Sequence, residues 1–302
     1  MSSPQSGATY ESAGVDLEAS QRVKERIKEV AKKTYGPNVL GGVGGFGAMY
    51  RVDGYRDPVL VSSTDPVGTK LMVAVMANNF DQIGVDLVNA CINDLIVIGA
   101  DPLFFLDYVA TSNMDPDIVE TVVVGIANAC QDVGCALIGG ETSEMPGVFS
   151  GNNFDLSGFV VGAVESEQML KPMENIKVGD SLIGVPSNGL HTNGYSLVRR
   201  LFFEEEQLKV DTHVDDLGKT LGEELLIPHR NYLPLVKELL LSDDLNALAH
   251  ITGGGITENL ARVLPDHLDA EVKRGTWEIL PIFNLIRDRG RVEAGEMYRT
   301  FN

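Results

Sequence analysis

Three cysteines in 302 residues are too few for a disulfide framework, and the odd count points to free thiols. Cys91, Cys130 and Cys135 all sit among apolar neighbours, which suits buried packing residues in a reducing compartment. Basic charge is scarce: 24 Lys and Arg stand against 43 Asp and Glu, a formal net charge of -19. That balance argues against a general grip on nucleic acid or on an acidic membrane surface. It leaves room for a small anionic ligand, because a few local ammonium and N–H groups hold a phosphate on an acidic protein. No apolar run is long enough to span a bilayer; the longest, near residues 92–100, is broken by Asp94. The first residues, MSSPQSGATYESAG, lack a charged segment followed by an apolar one. No secretory signal is therefore expected, and a cytoplasmic location is the default. HExxH, paired CxxC and GxSxG are also missing, so zinc hydrolysis and the common serine nucleophile lack support.

What is present is ordinary globular material, 44% hydrophobic and 22% charged, in a chain long enough for two domains. Residues 1–19, rich in Ser, Gly and Ala, read as a mobile arm. A helix is expected from about Ser20, with Val23, Ile27, Val30 and Ala31 on one face and Lys24, Arg26, Lys28, Lys32 and Lys33 around it. The basic run is either a solvated face or an anion-facing one. Strands are expected at 58–62, 103–111, 135–138 and 154–164, and helices at 82–98 and 117–133, the latter stopped by Gly134. Apolar patterning lapses between Glu165 and Val178, around Lys171-Pro172, which puts a domain seam there. The second half reads as a strand at Ser181–Val185, helices near 194–203 and 228–241, a strand into Ile251 and a helix from about Thr257. Alternation of this kind in both halves predicts an α/β protein built of α+β layers. The domains are then 20–168 and 169–302.

Two phosphate-binding look-alikes fail on context. Gly42, Gly44 and Gly47 match GxGxxG, but Met49–Val52 reads as a following strand and Asp53-Gly54 as a turn, where a dinucleotide fold needs a helix. Gly41, Gly42, Gly44, Gly45 and Gly47 then make either a bland loop or a flexible flap whose N–H groups approach phosphate. Gly218-Lys219-Thr220 is not a P-loop, because His213 stands where its first glycine belongs.

The 82–98 helix is the most informative element. It is apolar except for Asp86, Asn89, Asn93 and Asp94, which fall within one arc of about 140°. A water-facing stripe normally holds long Lys, Glu or Arg, whereas short oxygen donors on a rigid helix suit a hard cation such as Mg²⁺. The alternatives are a narrow exposed stripe or buried polar contacts. Asp65 and Glu141 follow expected strands, so with Asp94 they are candidates to converge on a metal–phosphate group. Asp107, inside a strand, reads more simply as a structural carboxylate. Lys70, just past the Asp65 loop, is a candidate to neutralise phosphate. Further on, Asn188–Ser196 is a glycine-punctuated polar loop whose His191 is a candidate acid or base near neutral pH. Thr252-Gly253-Gly254-Gly255 is either a tight turn or a set of N–H donors for phosphate.

Taken together, the blocks GGVGGFGA (41–48), STDPVGTK (63–70), NDLIVIGADPLFFLDYVAT (93–111), GGETSEMPG (139–147), NGLHTNGYSLVRR (188–200), HITGGGITEN (250–259) and EMYRTFN (296–302) resemble the phosphoribosylformylglycinamidine cyclo-ligase (AIR synthetase) family. Asp94, Gly99, Ala100 and Pro102 also fit a DxxxxGAxP pattern shared with thiamine-monophosphate kinase and selenophosphate synthetase, which specifies only ATP chemistry. The resemblance implies ATP-dependent ring closure of formylglycinamidine ribonucleotide to aminoimidazole ribonucleotide through an iminophosphate, in purine biosynthesis. It implies Mg²⁺ at Asp65, Asp94 and Glu141. It puts ATP phosphates at Lys70 and the glycine flap, with Thr64, Thr69 and Asn93 beside them. His191 and Asn193 would sit near the reacting formylamidine, and Ser196, Thr252 and Gly253–Gly255 around the ribonucleotide. A homodimer that pairs its first-domain sheets is also implied. The chain departs from the family at Pro66, where glycine is usual and a phosphate-facing N–H is lost. It also stops at Asn302, so the C-terminal α/β sandwich is expected to be truncated relative to the family, with a raw strand edge. Another ATP-dependent phosphotransferase of the same superfamily, or an inactive nucleotide-binding dimer, stays open as an alternative.

Overall fold

The computed structural model describes residues 17–242 and 244–301. Most of the expected mobile arm, residues 1–16, lies outside the described residues. Its last three residues belong to helix α1, Leu17–Lys32, which therefore starts earlier than Ser20. α1 is followed by the hairpin strands β1 (Val39–Gly41) and β2 (Met49–Tyr50) that carry the glycine-rich segment.

The first half is built on one four-stranded sheet. Its strands are β3 (Pro58–Pro66), β4 (Asp101–Thr111), β5 (Ala136–Glu144) and β6 (Phe154–Glu165), in the order β3-β6-β4-β5. β4 and β5 run parallel; the pairings of β6 with β3 and with β4 are antiparallel. All four expected strands form, but β3 and β5 run several residues further than the sequence suggests, so Asp65 and Glu141 lie within strands.

Helices α2 (Lys70–Ala77), α3 (Ile83–Ile96) and α4 (Pro116–Asp132) connect these strands. α4 starts where Asp115 accepts N–H bonds from Asp117 and Ile118 with proline at the first turn, and it stops before Gly134 at φ 69°. α3 and α4 cross closely at two glycines. A Cβ on Gly84 would run into the Val122 carbonyl and the Ile126 nitrogen, so only glycine fits. Between these helices and the sheet lies the core: Leu87, Cys91, Ile92, Leu95, Phe105, Val122, Ile126, Leu137 and Val160 are all buried. The three cysteines are free and buried, as expected. The opposite face of the sheet is open, with Leu60 and Phe159 exposed on it.

The second half is organised differently. Short helices α5 (Pro172–Asn175) and α6 (Tyr195–Arg199) come first, α6 continuing into a π-helical turn at Arg200–Glu205. The rejected P-loop look-alike falls in a small hairpin of β7 (His213–Val214) and β8 (Lys219–Thr220), where Thr220 caps helix α7 (Leu221–Leu225) in a capping box with Glu223. Helices α8 (Leu233–Val236), α9 (Gly255–Leu260), α10 (Pro281–Gly290) and α11 (Ala294–Thr300) complete it. The expected 228–241 helix is broken: residues 228–232 are not helical, and only α8 and a 3₁₀ turn at Leu239–Leu241 form. The strands expected at Ser181–Val185 and into Ile251 do not form either. Their β-branched residues favour extension, but a strand exists only against a partner, and among the described residues β7–β8 is the only pairing in this half. Ile183 is left 88% exposed.

Candidate active site

α3 links the halves. Its apolar face packs on the sheet and α4, while Asp86, Asn89 and Asn93, on the other side, are buried against the second half. What they meet is main chain. Asn89 Nδ2 donates to the His229 carbonyl (2.7 Å) and Asn93 Nδ2 to the Arg230 carbonyl (2.8 Å). Asn93 Oδ1 accepts from the Tyr232 N–H (3.1 Å), and Asp86 Oδ1 from the His229 N–H (2.7 Å). Buried amides and carboxylates need such partners, and this non-helical segment supplies them. Three of the four polar residues on the arc are therefore spent on holding the halves together. Asp86 Oδ2 stays buried without a partner, and the Asn93 amide keeps one further hydrogen.

Lys70 lies at the same seam. Its side chain is 0% exposed. Nζ donates to Asp86 Oδ1 (2.8 Å), the His191 carbonyl (3.2 Å) and the Ile227 carbonyl (2.7 Å). No N–H is left for a phosphate.

Asp94 alone on the arc keeps some solvent contact. Its Oδ1 pairs with His250 Nδ1 at 2.8 Å and its Oδ2 accepts from Ser63 Oγ at 3.1 Å. Burial pushes its pKa up, but the bonds from His250 and Ser63 and the charge of Arg262 outweigh that and hold it below the ordinary value. Asp65 is pushed up to about 6 by burial and by the neighbouring Asp94 charge, with His250 opposing. Asp65 and Asp94 thus face a common space. His250 is a member the sequence candidates omit. Its side chain is 7% exposed and its Nε2 is buried without a partner. The only signal for it is its place at the head of the HITGGG run.

Other predicted residues gather at the same seam. Thr69 Oγ1 and Ser196 Oγ, one from each half, lie 3.2 Å apart. Asn193 Oδ1 accepts from the Gly253 N–H (3.2 Å), and its Nδ2 is buried without a partner. The turn Thr252–Gly255 is closed on itself and on the last helix. Gly254 N–H goes to the Arg299 carbonyl and Gly255 N–H to the Thr252 carbonyl, each at 2.9 Å. Thr252 Oγ1 lies 3.5 Å from Asn259 Oδ1. With Gly253 bonded to Asn193, the expected phosphate cradle has no unspent N–H among its three glycines. His191 is 2% exposed, held by Asn188 Oδ1 at 2.8 Å and stacked on His229 at 4.2 Å between centroids. Burial, then the charges of His250, Lys70 and Arg230, push its pKa down to about 3. It is a neutral ring at pH 7, not the expected acid or base near neutrality.

Glu141 does not join. The ladder places Glu141 beside Tyr108, Tyr108 beside Ser157 and Ser157 beside Pro66, so three strand spacings, roughly 14 Å, separate it from the β3 edge. It lies one register position off the row Asp65–Gly158–Asp107–Gly140, so it points to the other face of the sheet. The glycine flap lies on the β5 side too, where Ala48 sits close to Gly139. Tyr35 packs its hydroxyl under Gly42 and accepts the Val43 N–H, and Lys28 Nζ lies near Gly44. Phe46, at the flap's tip, is fully exposed. Thr64 is also on the open face, beside Phe159. Asp107 is buried in the row with Asp65, as a structural carboxylate would be, with its pKa raised to about 7 by burial. Pro66 costs the sheet no ladder bond: the Val67 N–H donates to the Leu156 carbonyl, so the Pro66 nitrogen occupies the alternate position that faces outward from the edge. The N–H it lacks is one that would have pointed away from the sheet.

Two family models match: AIR synthase related protein, N-terminal domain, over residues 46–164, and its C-terminal domain over residues 177–302. The two models match separate stretches of this α/β chain. In fold it is similar to thiamine-monophosphate kinase from Stenotrophomonas maltophilia, 19% identical, with TM-score 0.52 over 80% of this chain and 70% of that one. It is similar also to a hydrogenase maturation protein HypE solved in complex with ATP, 18% identical, with TM-score 0.50 over 83% and 66%. In sequence it is 48% identical over 304 residues to the phosphoribosylformylglycinamidine cyclo-ligase of Trichlorobacter lovleyi, covering all of this chain and 86% of the relative. The chain belongs to the phosphoribosylformylglycinamidine cyclo-ligase family.

Proposed function

We propose that this chain closes the ring of formylglycinamidine ribonucleotide with ATP, giving aminoimidazole ribonucleotide, ADP and phosphate, in the seam between its halves. The observation that carries the reading is the meeting, across that seam, of Asp65, Asp94 and Ser63 from the first half with His250 from the second, and of Thr69 with Ser196. An amide oxygen is a poor leaving group until it is phosphorylated, and phosphoryl transfer needs mainly positioning and charge neutralisation. The second step needs the same cleft to hold an amine nitrogen against the activated carbon. ATP as co-substrate agrees with a fold relative solved in complex with ATP.

Mg²⁺ fits the donors in a limited sense. The Asp94 charge adds to the cost of ionising Asp65, which a bound cation would relieve. Among the described residues, though, no group of three His, Cys, Asp or Glu is arranged to hold a metal by itself. That pattern suits an ion brought by triphosphate and touched by one or two carboxylates. When bound it would neutralise charge developing on the transferred group. The chain's own part is to orient. His250 and Ser63 fix both oxygens of Asp94. The unpartnered Asn193 amide is available to the substrate's polar atoms, and Thr69 and Ser196 set the width of the cleft. Stacked and neutral, His191 holds the loop that carries Asn193.

Residues 20–168 are then the nucleotide half and residues 169–302 the half that completes the site. The open face of the sheet, with Leu60 and Phe159 exposed beside Phe104, Leu106 and Tyr108, suits pairing with a second copy. No described helix is long and apolar enough to cross a membrane. The acidic charge balance suits work on small molecules rather than a grip on nucleic acid. Incubation with ATP, Mg²⁺ and the formylamidine nucleotide tests the function directly. Imidazole product with stoichiometric ADP is expected; ADP release without imidazole overturns the reading.

A further inference from the structure

Lys70 stands in the loop that the sequence offers to phosphate, yet the fold surrounds it with oxygens of its own. We infer that Lys70 is a positioning residue whose ammonium pins the His191–Ser196 loop and the 227–232 segment onto α3, setting the geometry of the seam. The reading of that seam as the reaction site is presupposed only by the activity part of the test.

Three acceptors from three separate segments converge on one nitrogen: Asp86 Oδ1 on α3, the His191 carbonyl and the Ile227 carbonyl. With Asp86 ionised, the ammonium spends its three hydrogens on these three oxygens; with the proton passed to Asp86, the amine donates to both carbonyls and accepts from the carboxyl, so the nitrogen ties the three segments together in either form. The Tyr195 ring, 5.7 Å away, closes another side. The carbonyl that Lys70 holds belongs to His191, whose φ of 54° lies in the left-handed region that few non-glycine residues occupy. One residue earlier, Thr69 reaches Ser196 at the other end of the same loop. Residues 69 and 70 therefore clamp both ends of the segment that carries Asn193.

Lys70→Met alone strands a buried carboxylate and risks not folding, so the primary variant is Lys70→Met with Asp86→Leu, which removes both charges together. Hydrogen exchange at 188–196 and 227–232 is compared with exchange in β4 and β6, Mg·ATP affinity is measured by calorimetry, and turnover by imidazole formation. With the pin removed, the two segments exchange about tenfold or more faster while the sheet does not change. The same loosening lowers kcat about tenfold or more with little change in the Kd for Mg·ATP. Lys70→Arg does not rescue, because a planar fork cannot aim at three converging oxygens. If the double variant does not fold, Asp86→Asn is read in its place: it keeps an acceptor for Lys70 and speeds exchange in the same two segments by a smaller factor. Unchanged exchange in whichever variant is read overturns the inference. So does an about tenfold weaker Mg·ATP with exchange unchanged, which would make Lys70 a phosphate ligand after all. A wild-type protein that forms no imidazole defeats the functional reading and leaves the exchange result standing.

Discussion

The two halves of this molecule are put together differently. In the first, one four-stranded sheet and four helices bury an apolar core, and the site residues Asp65 and Asp94 ride on regular elements packed into it. In the second, short helices and extended stretches carry Asn193, Ser196 and His250 around further buried apolar residues such as Tyr195, Val198, Phe202, Leu221 and Ile282, and polar bonds from α3 to residues 229–232 dock this half onto the first. Rigid elements therefore place half of the site directly. The other half is placed by docking, and its geometry is only as good as the α3 contacts that hold it.

That contrast can be broken in order of effect. Gly84→Val attacks the first half where α3 and α4 nearly touch main chain to main chain; a loss of about 3 kcal/mol or more is expected from overpacking, and denaturant unfolding measures it. An unchanged midpoint would mean that the helices slide apart freely. Asn93→Ala attacks the docking instead. It orphans the Arg230 carbonyl and the Tyr232 N–H, each worth about 1–3 kcal/mol when left unpaired and buried. Exchange at 230–232 should rise and turnover fall, while β4 and β6 stay protected; a uniform rise over both halves would deny that they differ.

A smaller effect follows from Asp107. Burial raises its folded pKa to about 7 from an ordinary value near 4. The folded state then binds a proton that the unfolded state has released, so the stability it contributes is complete below about pH 4 and is lost as pH rises through 7. Asp107→Asn stays neutral. Its Tm should match wild type at pH 4 and exceed it at pH 8, and a difference that does not vary with pH would contradict the assignment. The smallest effect is expected at Pro66→Gly, which restores an outward N–H at the β3 edge without touching the ladder. A modest gain in turnover with Tm nearly unchanged is expected; an equal or lower rate shows that this N–H meets no phosphate.

Much of the first half was legible in the sequence, and the reason is local. Periodicity marks α3 and α4, β-branched runs mark the four strands, and Asp115-Pro116 and Gly134 mark the ends of α4. The polar arc on α3 was legible as unusual, but its meaning was not. Short donors on an apolar helix suit either a cation or a peptide main chain, and only the fold brings residues 229–232 to meet it. Lys70 failed for the same reason: Asp86 is sixteen residues away, and Ile227 lies in the other half. Ser181–Val185 has the composition of a strand, but composition names no partner. Glu141 and Asp65 both lie in β-strands, and nothing along the chain reveals that those strands form opposite edges of the sheet.

The bonds from α3 to the second half have one further property. Asp86, Asn89 and Asn93 read the N–H and C=O groups of residues 229, 230 and 232, not their side chains. Such a lock is indifferent to the key's colour. At the half-exposed Arg230, a substitution that keeps the backbone path should be tolerated far better than any change to the three residues on the helix, whereas the buried His229, stacked on His191, does not share that freedom.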